Sequence, residues 1–356
     1  MATLILDRRR LRHNYEYLQQ LFEKHHEKWA VVTKLLCGNR LYLEELLSYH
    51  RGAVCDSRVR NLKQIKEISP NTPTIFIKPP ANNNIQEVVR YADYSFNTEL
   101  STIELLNAEA ERQGKVHHII IAIELGELRE GVMGEELMAF YRKAFTLPHI
   151  EVAGVAANLS CLYGVLPTTD KLIQVSLYAQ LIEATFGRKL ELVSGGSSVS
   201  IPLLMNNTLP KGINHFRVGE TLYFGTNVYD DTRIEGMEYD VFQLFVNVLE
   251  VTEKPMTPTG EFGTNLEGKT FEPDASLLGQ TSIRAIVDIG VLDVDVSQIS
   301  FIDEQIKIAG ATSDMVVLDL GANRKGYKPG DQIGVRLNYM SALKLLNSQY
   351  IVKEIV

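Results

Sequence analysis

Lys34 ends the apolar run Trp29-Ala30-Val31-Val32-Thr33 and precedes Leu35-Leu36-Cys37-Gly38-Asn39. An ammonium at the end of a buried strand loses hydration, and burial favours its neutral form. A neutral lysine amine is a nucleophile toward carbonyl carbon and can form a Schiff base. A lysine that merely stretches its stem to the rim of a core strand would look the same in isolation. The decision rests on what stands at the ends of the other apolar runs.

Asp56, Arg129, Asn158, Ser197, Ser198, Arg217 and Gly219 all fall at or just beyond such ends. Ser194-Gly195-Gly196-Ser197-Ser198 and Gly219-Glu220-Thr221 are tight turns rich in small residues. Backbone N–H groups at such turns suit a phosphate monoester. One Gly-Ser cluster is usually a plain turn; two, with two arginines and a strand-end lysine, indicate an anion site. Schiff-base lysine plus phosphate cradle points to pyridoxal 5'-phosphate (PLP). Arg217 precedes Gly219 by two residues and can face the cofactor's ring nitrogen, which it would leave unprotonated, since a guanidinium does not give up its proton.

The elements that must place these groups are short apolar runs, each followed by a polar helical stretch. The runs are Ala30–Lys34, Gly52–Asp56, Thr74–Lys78, Tyr94–Asn97, His118–Leu125, Val152–Leu159, Leu190–Ser194 and His215–Gly219. Helices are expected at Ser57–Ile68, Ser101–Gln113, Glu135–Ala144 and Asp170–Phe186, and one capped by Asp7 with Leu11, Tyr15, Leu18 and Leu21 on one face. Apolar strands alternating with helices mean a parallel sheet covered on both faces. Eight such units predict an α/β fold, a (β/α)8 TIM barrel, whose active sites lie at the strands' C-terminal ends. A doubly wound sheet is disfavoured because no Gly-x-Gly-x-x-Gly follows a strand.

From Tyr239 the pattern changes. Phe242–Val251, Ser282–Ile289, Gln305–Ile308, Met315–Leu320 and Gln332–Leu337 read as strands separated by Pro, Gly and Asp, with no long amphipathic helix. We expect a barrel over 1–227 and a mainly β domain over 228–356, with Glu253–Thr281 a long irregular loop.

The chain has 356 residues, 45% hydrophobic and 22% charged, enough for two domains. A net charge of -8 argues against nucleic acid and anionic membranes as partners. Three cysteines, Cys37, Cys55 and Cys161, cannot build a disulfide framework and suggest a reducing, cytoplasmic setting. No signal-like N-terminus or membrane-length apolar run is seen, and no His/Cys/carboxylate spacing suggests a metal.

These residues together resemble the alanine racemase family, closest to its alanine- and ornithine-racemase-like branch, over nearly the whole chain. Ala30-Val31-Val32-Thr33-Lys34 resembles the family's PLP-carrying Val-Val-Lys, Arg217-Val218-Gly219 its Arg-Pro-Gly, and Leu222-Tyr223-Phe224-Gly225 its Leu-Tyr-Gly. Ser197-Ser198 resembles its Asn-Ser, making Ser198 the first choice for phosphate contact. Leu128-Arg129-Glu130-Gly131 resembles its Met-Arg-x-Gly, where the arginine would bond the cofactor's phenolic oxygen and face substrate. Thr312-Ser313-Asp314 resembles the stretch that reaches a partner's site, and Tyr350 a late phosphate-binding tyrosine. The resemblance implies PLP on Lys34, cofactor contacts from Arg129, Asn158, Ser197, Ser198, Arg217, Gly219, Glu220 and Tyr350, substrate contacts from Arg129 and Ser313, and a homodimer whose β domain completes the partner's active site.

The pattern also breaks. Gly38 stands where the family has a tyrosine, Asn158 where it has a ring-stacking histidine, Ala122 where it has a modified lysine, and Val291 where it has the tyrosine serving as second base. Two-base racemisation needs a proton acceptor on each face of Cα; Lys34 can be one, and a valine cannot be the other. Asp293, Asp314, Cys161 and Cys37 are the substitutes, with Asp293 and Asp314 carried as catalytic candidates and Cys161 read as a small apolar core residue. The expected activity is racemisation of a free α-amino acid: ornithine, another basic amino acid, or alanine. A non-catalytic PLP carrier is the alternative; a lyase or decarboxylase is disfavoured because all three cysteines lie in the barrel segment.

Overall fold

The computed structural model describes residues 1–264, 268, 270, 272 and 274–356. The chain divides into two compact units, one of residues 10–239 and one that joins residues 1–9 to 240–356.

The first unit is the barrel. Strands β2 (Lys28–Val32), β3 (Ala53–Asp56), β4 (Thr74–Phe76), β5 (Tyr94–Asn97), β6 (His117–Ala122), β7 (Ile150–Ala156), β8 (Leu192–Ser194), β9 (Gly196–Ser197) and β10 (His215–Val218) follow a short first strand, β1 (Thr3–Leu6). The barrel sheet runs β8-β7-β6-β5-β4-β3-β2-β10-β9. All eight expected strands are present. The expected strand seven is followed by the two-residue β9, which pairs with β10 so that Ser197 lies level with Arg217. The ring closes at Asn214, whose N–H donates to the Val193 carbonyl at 3.1 Å and whose Oδ1 accepts from the Val193 N–H at 2.8 Å.

The alternation of side chains along each strand fills the barrel. Ala30, Val32, Cys55, Ile75, Phe96, Ile120, Ala122, Ala156 and Leu192 point inward and form one buried cluster. Small residues at 30, 122 and 156 leave room for Phe96. Helices cover the outside: α1 (Arg8–His25), α2 (Arg40–Tyr49), α3 (Val59–Ile68), α4 (Ile85–Tyr91), α5 (Leu100–Arg112), α6 (Leu137–Ala144) and α7 (Thr169–Phe186), of which α3, α5, α6 and α7 match the expected segments within two residues. On α5, Ile103, Leu106 and Ala110 repeat at helical spacing and are buried.

After a short strand pair, β11 (Thr226–Asn227) and β12 (Thr232–Arg233), the second unit is a largely antiparallel sheet whose path runs β15 (Ile299–Phe301), β18 (Gln332–Leu337), β13 (Phe242–Pro255), β14 (Thr281–Val287), β17 (Val316–Asp319) and β16 (Lys307–Ala311). Its long strand β13 (Phe242–Pro255) alternates buried and less buried residues, as a sheet with one covered face requires. It pairs with β14 (Thr281–Val287), which pairs with β17 (Val316–Asp319) and that with β16 (Lys307–Ala311); β18 (Gln332–Leu337) bridges β13 and β15 (Ile299–Phe301).

Three expectations need correction. The first nine residues belong to the second unit, because β1 pairs antiparallel with β13 and parallel with β19 (Val352–Ile355). The expected loop starts too early: Glu253, Lys254 and Pro255 pair with Ile283, Ser282 and Thr281. Within that loop Asn265, Leu266, Glu267, Lys269, Phe271 and Pro273 lie outside the described residues. The second unit also contains a helix, Tyr339–Asn347, opened by a reciprocal cap between Asn338 and Ser341.

Candidate active site

The barrel's strand ends bring the barrel candidates into one mouth. Lys34 follows β2 and opens a single 3₁₀ turn, Lys34–Leu36. It is exposed, not buried as expected, because β2 ends at Val32 and the chain turns outward while Leu35 and Leu36 take the buried positions. Burial therefore does not single out this lysine; its place at the mouth does. The turn closes on Cys37 and Gly38 with φ of 49° and 71°. A Cβ on Gly38 would lie 2.5 Å from Asn61 Oδ1, so no tyrosine fits this backbone.

Arg217 is buried inside the barrel. Its Nη1 donates to the Ser194 carbonyl at 3.1 Å and to Ser194 Oγ, and its Nη2 donates to the Ala157 carbonyl at 2.9 Å. Its guanidinium lies 5.0 Å from the Phe96 ring centre. Ser194 Oγ also meets His215 Nδ1 at 2.7 Å. Burial, then the charges of Arg217 and Lys28, pull His215 down to about 3, so its ring is neutral. The neutral ring shares a hydrogen bond with Ser194 Oγ, which also accepts from Arg217. The network fixes the arginine's plane.

Next to it is the serine turn. Ser198 Oγ accepts the Gly219 N–H at 3.2 Å and the Thr221 N–H at 3.3 Å. Ser197 takes part in a reciprocal cap with Ser200. Gly219 packs against β2: a Cβ there would be 3.1 Å from Val32 Cβ. Glu220 is partly buried; desolvation raises its carboxyl and the charge of Lys34 opposes this.

Across the mouth, Arg129 pairs with Glu130, and Glu130 Oε1 accepts from Asn158 Nδ2 at 3.3 Å. Asn158 Nδ2 is 3.8 Å from Cys161 Sγ. Cys161 is exposed, contrary to the core reading, because the chain leaves β7 into an open turn. That turn is organised by Glu127, which is 1% exposed. Its carboxylate accepts N–H bonds from Ser160, Cys161, Leu162, Tyr163 and Val165. Sequence reasoning missed Glu127. The available signal was a glutamate inside the strand-end stretch Gly126-Glu127-Leu128-Arg129.

The second unit's candidates are separate in chain and in kind. Gly290 packs on Ser313 and Asp314, and Val291 and Leu292 donate to the Thr312 and Ser313 carbonyls, so the two expected stretches do adjoin. Asp293 is buried, accepting from Gly290 N–H at 3.3 Å and Ser348 Oγ at 3.2 Å, contacts that hold its loop. Ser313 and Asp314 are exposed and joined at 3.3 Å, and Tyr350 is 75% exposed.

The donor set fits PLP by its chemistry. An amine at one strand end, a serine with clustered amides at the last two, and a buried guanidinium between them match an aldehyde, a phosphate and a pyridine nitrogen.

The chain is 37% identical, over 99% of both sequences, to an ornithine racemase of Acetoanaerobium sticklandii. It is 29% identical to a lysine racemase of Thermotoga maritima, over 90% of this chain and 89% of that one. An alanine racemase structure from Clostridium difficile 630 superposes with a TM-score of 0.77 at 14% identity, covering 100% of this chain and 95% of that one. Residues 6–227 match the family described as "Alanine racemase, N-terminal domain", and with full-length relatives of this kind the chain belongs to the alanine racemase family.

Proposed function

We propose that this protein is a PLP-dependent racemase of a basic α-amino acid, ornithine or lysine. The observation that carries the reading is Lys34 at the same barrel mouth as the Ser198–Gly219–Thr221 turn and Arg217, in a chain related over its full length to an ornithine racemase.

When bound, PLP supplies the electron sink that acidifies the substrate's Cα–H bond. Lys34 would hold the cofactor and move a proton at one face of Cα. Ser198 and the neighbouring amides would bind the phosphate. Arg217, held by Ser194 and Ala157, would face the ring nitrogen and keep it unprotonated, which restrains chemistry other than proton exchange. Arg129 would meet the phenolic oxygen, with Glu130 and Asn158 orienting it. Glu130 and Glu220 supply negative charge at the mouth for a cationic substrate side chain. The working unit is a homodimer in which Ser313 and Asp314 serve the partner's site.

Proton exchange tests this. The PLP-loaded protein is incubated in D2O with each enantiomer of ornithine, lysine, alanine and serine, and NMR and chiral chromatography follow the α-proton and configuration. Exchange with inversion is expected for ornithine or lysine. Absence of exchange with every one, despite a Lys34-dependent chromophore, would return the protein to the carrier reading.

A further inference from the structure

Inversion requires a second acid–base group opposite Lys34, and the following rests on the racemase reading. The family's position for that group holds Val291, which has no proton to move. Asp293 is engaged by Gly290 of its own loop and by Ser348. Cys55 lies in the barrel core, where burial pushes its thiol up to about 12. Cys37 sits in the same turn as Lys34, its Sγ 3.8 Å from the Lys34 carbonyl, and so approaches from the same strand end.

Cys161 differs on every count. It is exposed at the mouth, beside Asn158 and the Arg129–Glu130 pair. It follows β7, and Lys34 follows β2. Around the ring β2-β10-β8-β7 these are three strands apart in a circuit of eight, so the two residues follow well-separated strand ends of one rim. Its turn is held at five N–H groups by one buried carboxylate, Glu127. An ordinary surface turn needs no such anchor; a reacting atom must be held to within about half an ångström.

We propose that Cys161 is the second acid–base residue and that Glu127 positions it. In one direction the Cys161 thiolate takes the α-proton: the Cα–H bond breaks, an S–H bond forms, and the Lys34 ammonium gives a proton to the opposite face of Cα. In the other direction the roles reverse. One proton leaves carbon and one arrives, no electrons are transferred to or from the substrate overall, and exchange with water resets both groups.

The test uses PLP-loaded wild type, C161A, C161S and E127Q with both enantiomers of the amino acid that the wild type racemises. C161A is expected to lose racemisation by about 100-fold or more, the range of a lost general acid–base group. It keeps α-proton exchange with retention for the enantiomer whose proton faces Lys34, and loses exchange for the other. An unchanged chromophore and circular dichroism show that the fold survives, and C161S repeats the result without a change of volume. E127Q lowers kcat with KM unchanged, impairs the same enantiomer, and adds little to C161A in the double variant. C161A that racemises within threefold of wild type, or that loses exchange of both enantiomers equally with the chromophore intact, overturns the proposal. A wild type that racemises nothing overturns the racemase reading itself, and this one with it.

Discussion

Glu127 shows how one side chain can set the shape of a turn. Burial alone would raise its carboxyl, but the N–H bonds from Leu162, Tyr163, Val165 and Ser160 outweigh it and hold the group below its usual 4.5. The folded value lies below the unfolded one. The stabilisation is therefore present above pH 4.5 and is lost as pH falls through the folded value. We expect amide exchange in residues 160–165 to accelerate in that acid window while barrel strands stay protected, as read by mass spectrometry. Glu127→Ala should produce the same loosening at neutral pH and cost about 2 kcal/mol, from amides that lose a charged acceptor. At Lys34, the K34A variant should lose the borohydride-fixed pyridoxyl mass on the peptide carrying residue 34; a label persisting on another lysine would refute the assignment. Lys34 was legible from its position at a strand end, though the premise of burial was wrong. Cys161 could be named as a possible base, but its exposure was not legible, since free cysteines are usually buried and nothing local announces a turn anchored 33 or more residues upstream.

At the scale of elements, the stretch that places Arg129 depends on close backbone approach. Ile123 bridges Val132, and a Cβ on Gly131 would lie 2.3 Å from the Glu124 nitrogen. Gly131→Ala must push these segments apart. It should lower stability by about 2 kcal/mol, the usual scale of overpacking, and weaken PLP affinity, seen as a lower urea midpoint and a right-shifted titration. The barrel strands were readable because buried parallel strands are continuous apolar runs whose ends are marked by turn residues. The short elements were not. β9 has two residues, and β1 four, and neither carries a periodicity of its own; each exists because a partner strand offers its edge. The end of β13 was placed early because Pro255 and the charged Glu253 and Lys254 read as loop, yet pairing with β14 carries them as strand.

At the scale of the whole molecule, the unit boundaries decide which truncations fold. Removing residues 1–7 takes β1 from between β13 and β19 and exposes the sheet positions that pair with Thr3–Leu6. A chain lacking them should show a second unit that melts earlier than the barrel, and residues 240–356 alone should gain stability when a peptide of residues 1–9 is added. Calorimetry separates the two transitions. The proposed homodimer predicts twice the chain mass of 40.0 kDa by light scattering at micromolar concentration; a monomer there would count against Ser313 and Asp314 acting in a partner's site.

The strand β1 also has a temporal consequence. It leaves the ribosome long before its partners, for Thr3 pairs with Phe245 and Val352. At roughly 5–20 residues per second, its partners follow only after about 12 seconds or more. Throughout that interval Leu4 and Leu6, both 0% exposed in the finished fold, have no sheet to enter. The barrel can condense on its own during synthesis, while the second unit waits for β19. Its sheet is completed only when β19 has been made, long after its first strand.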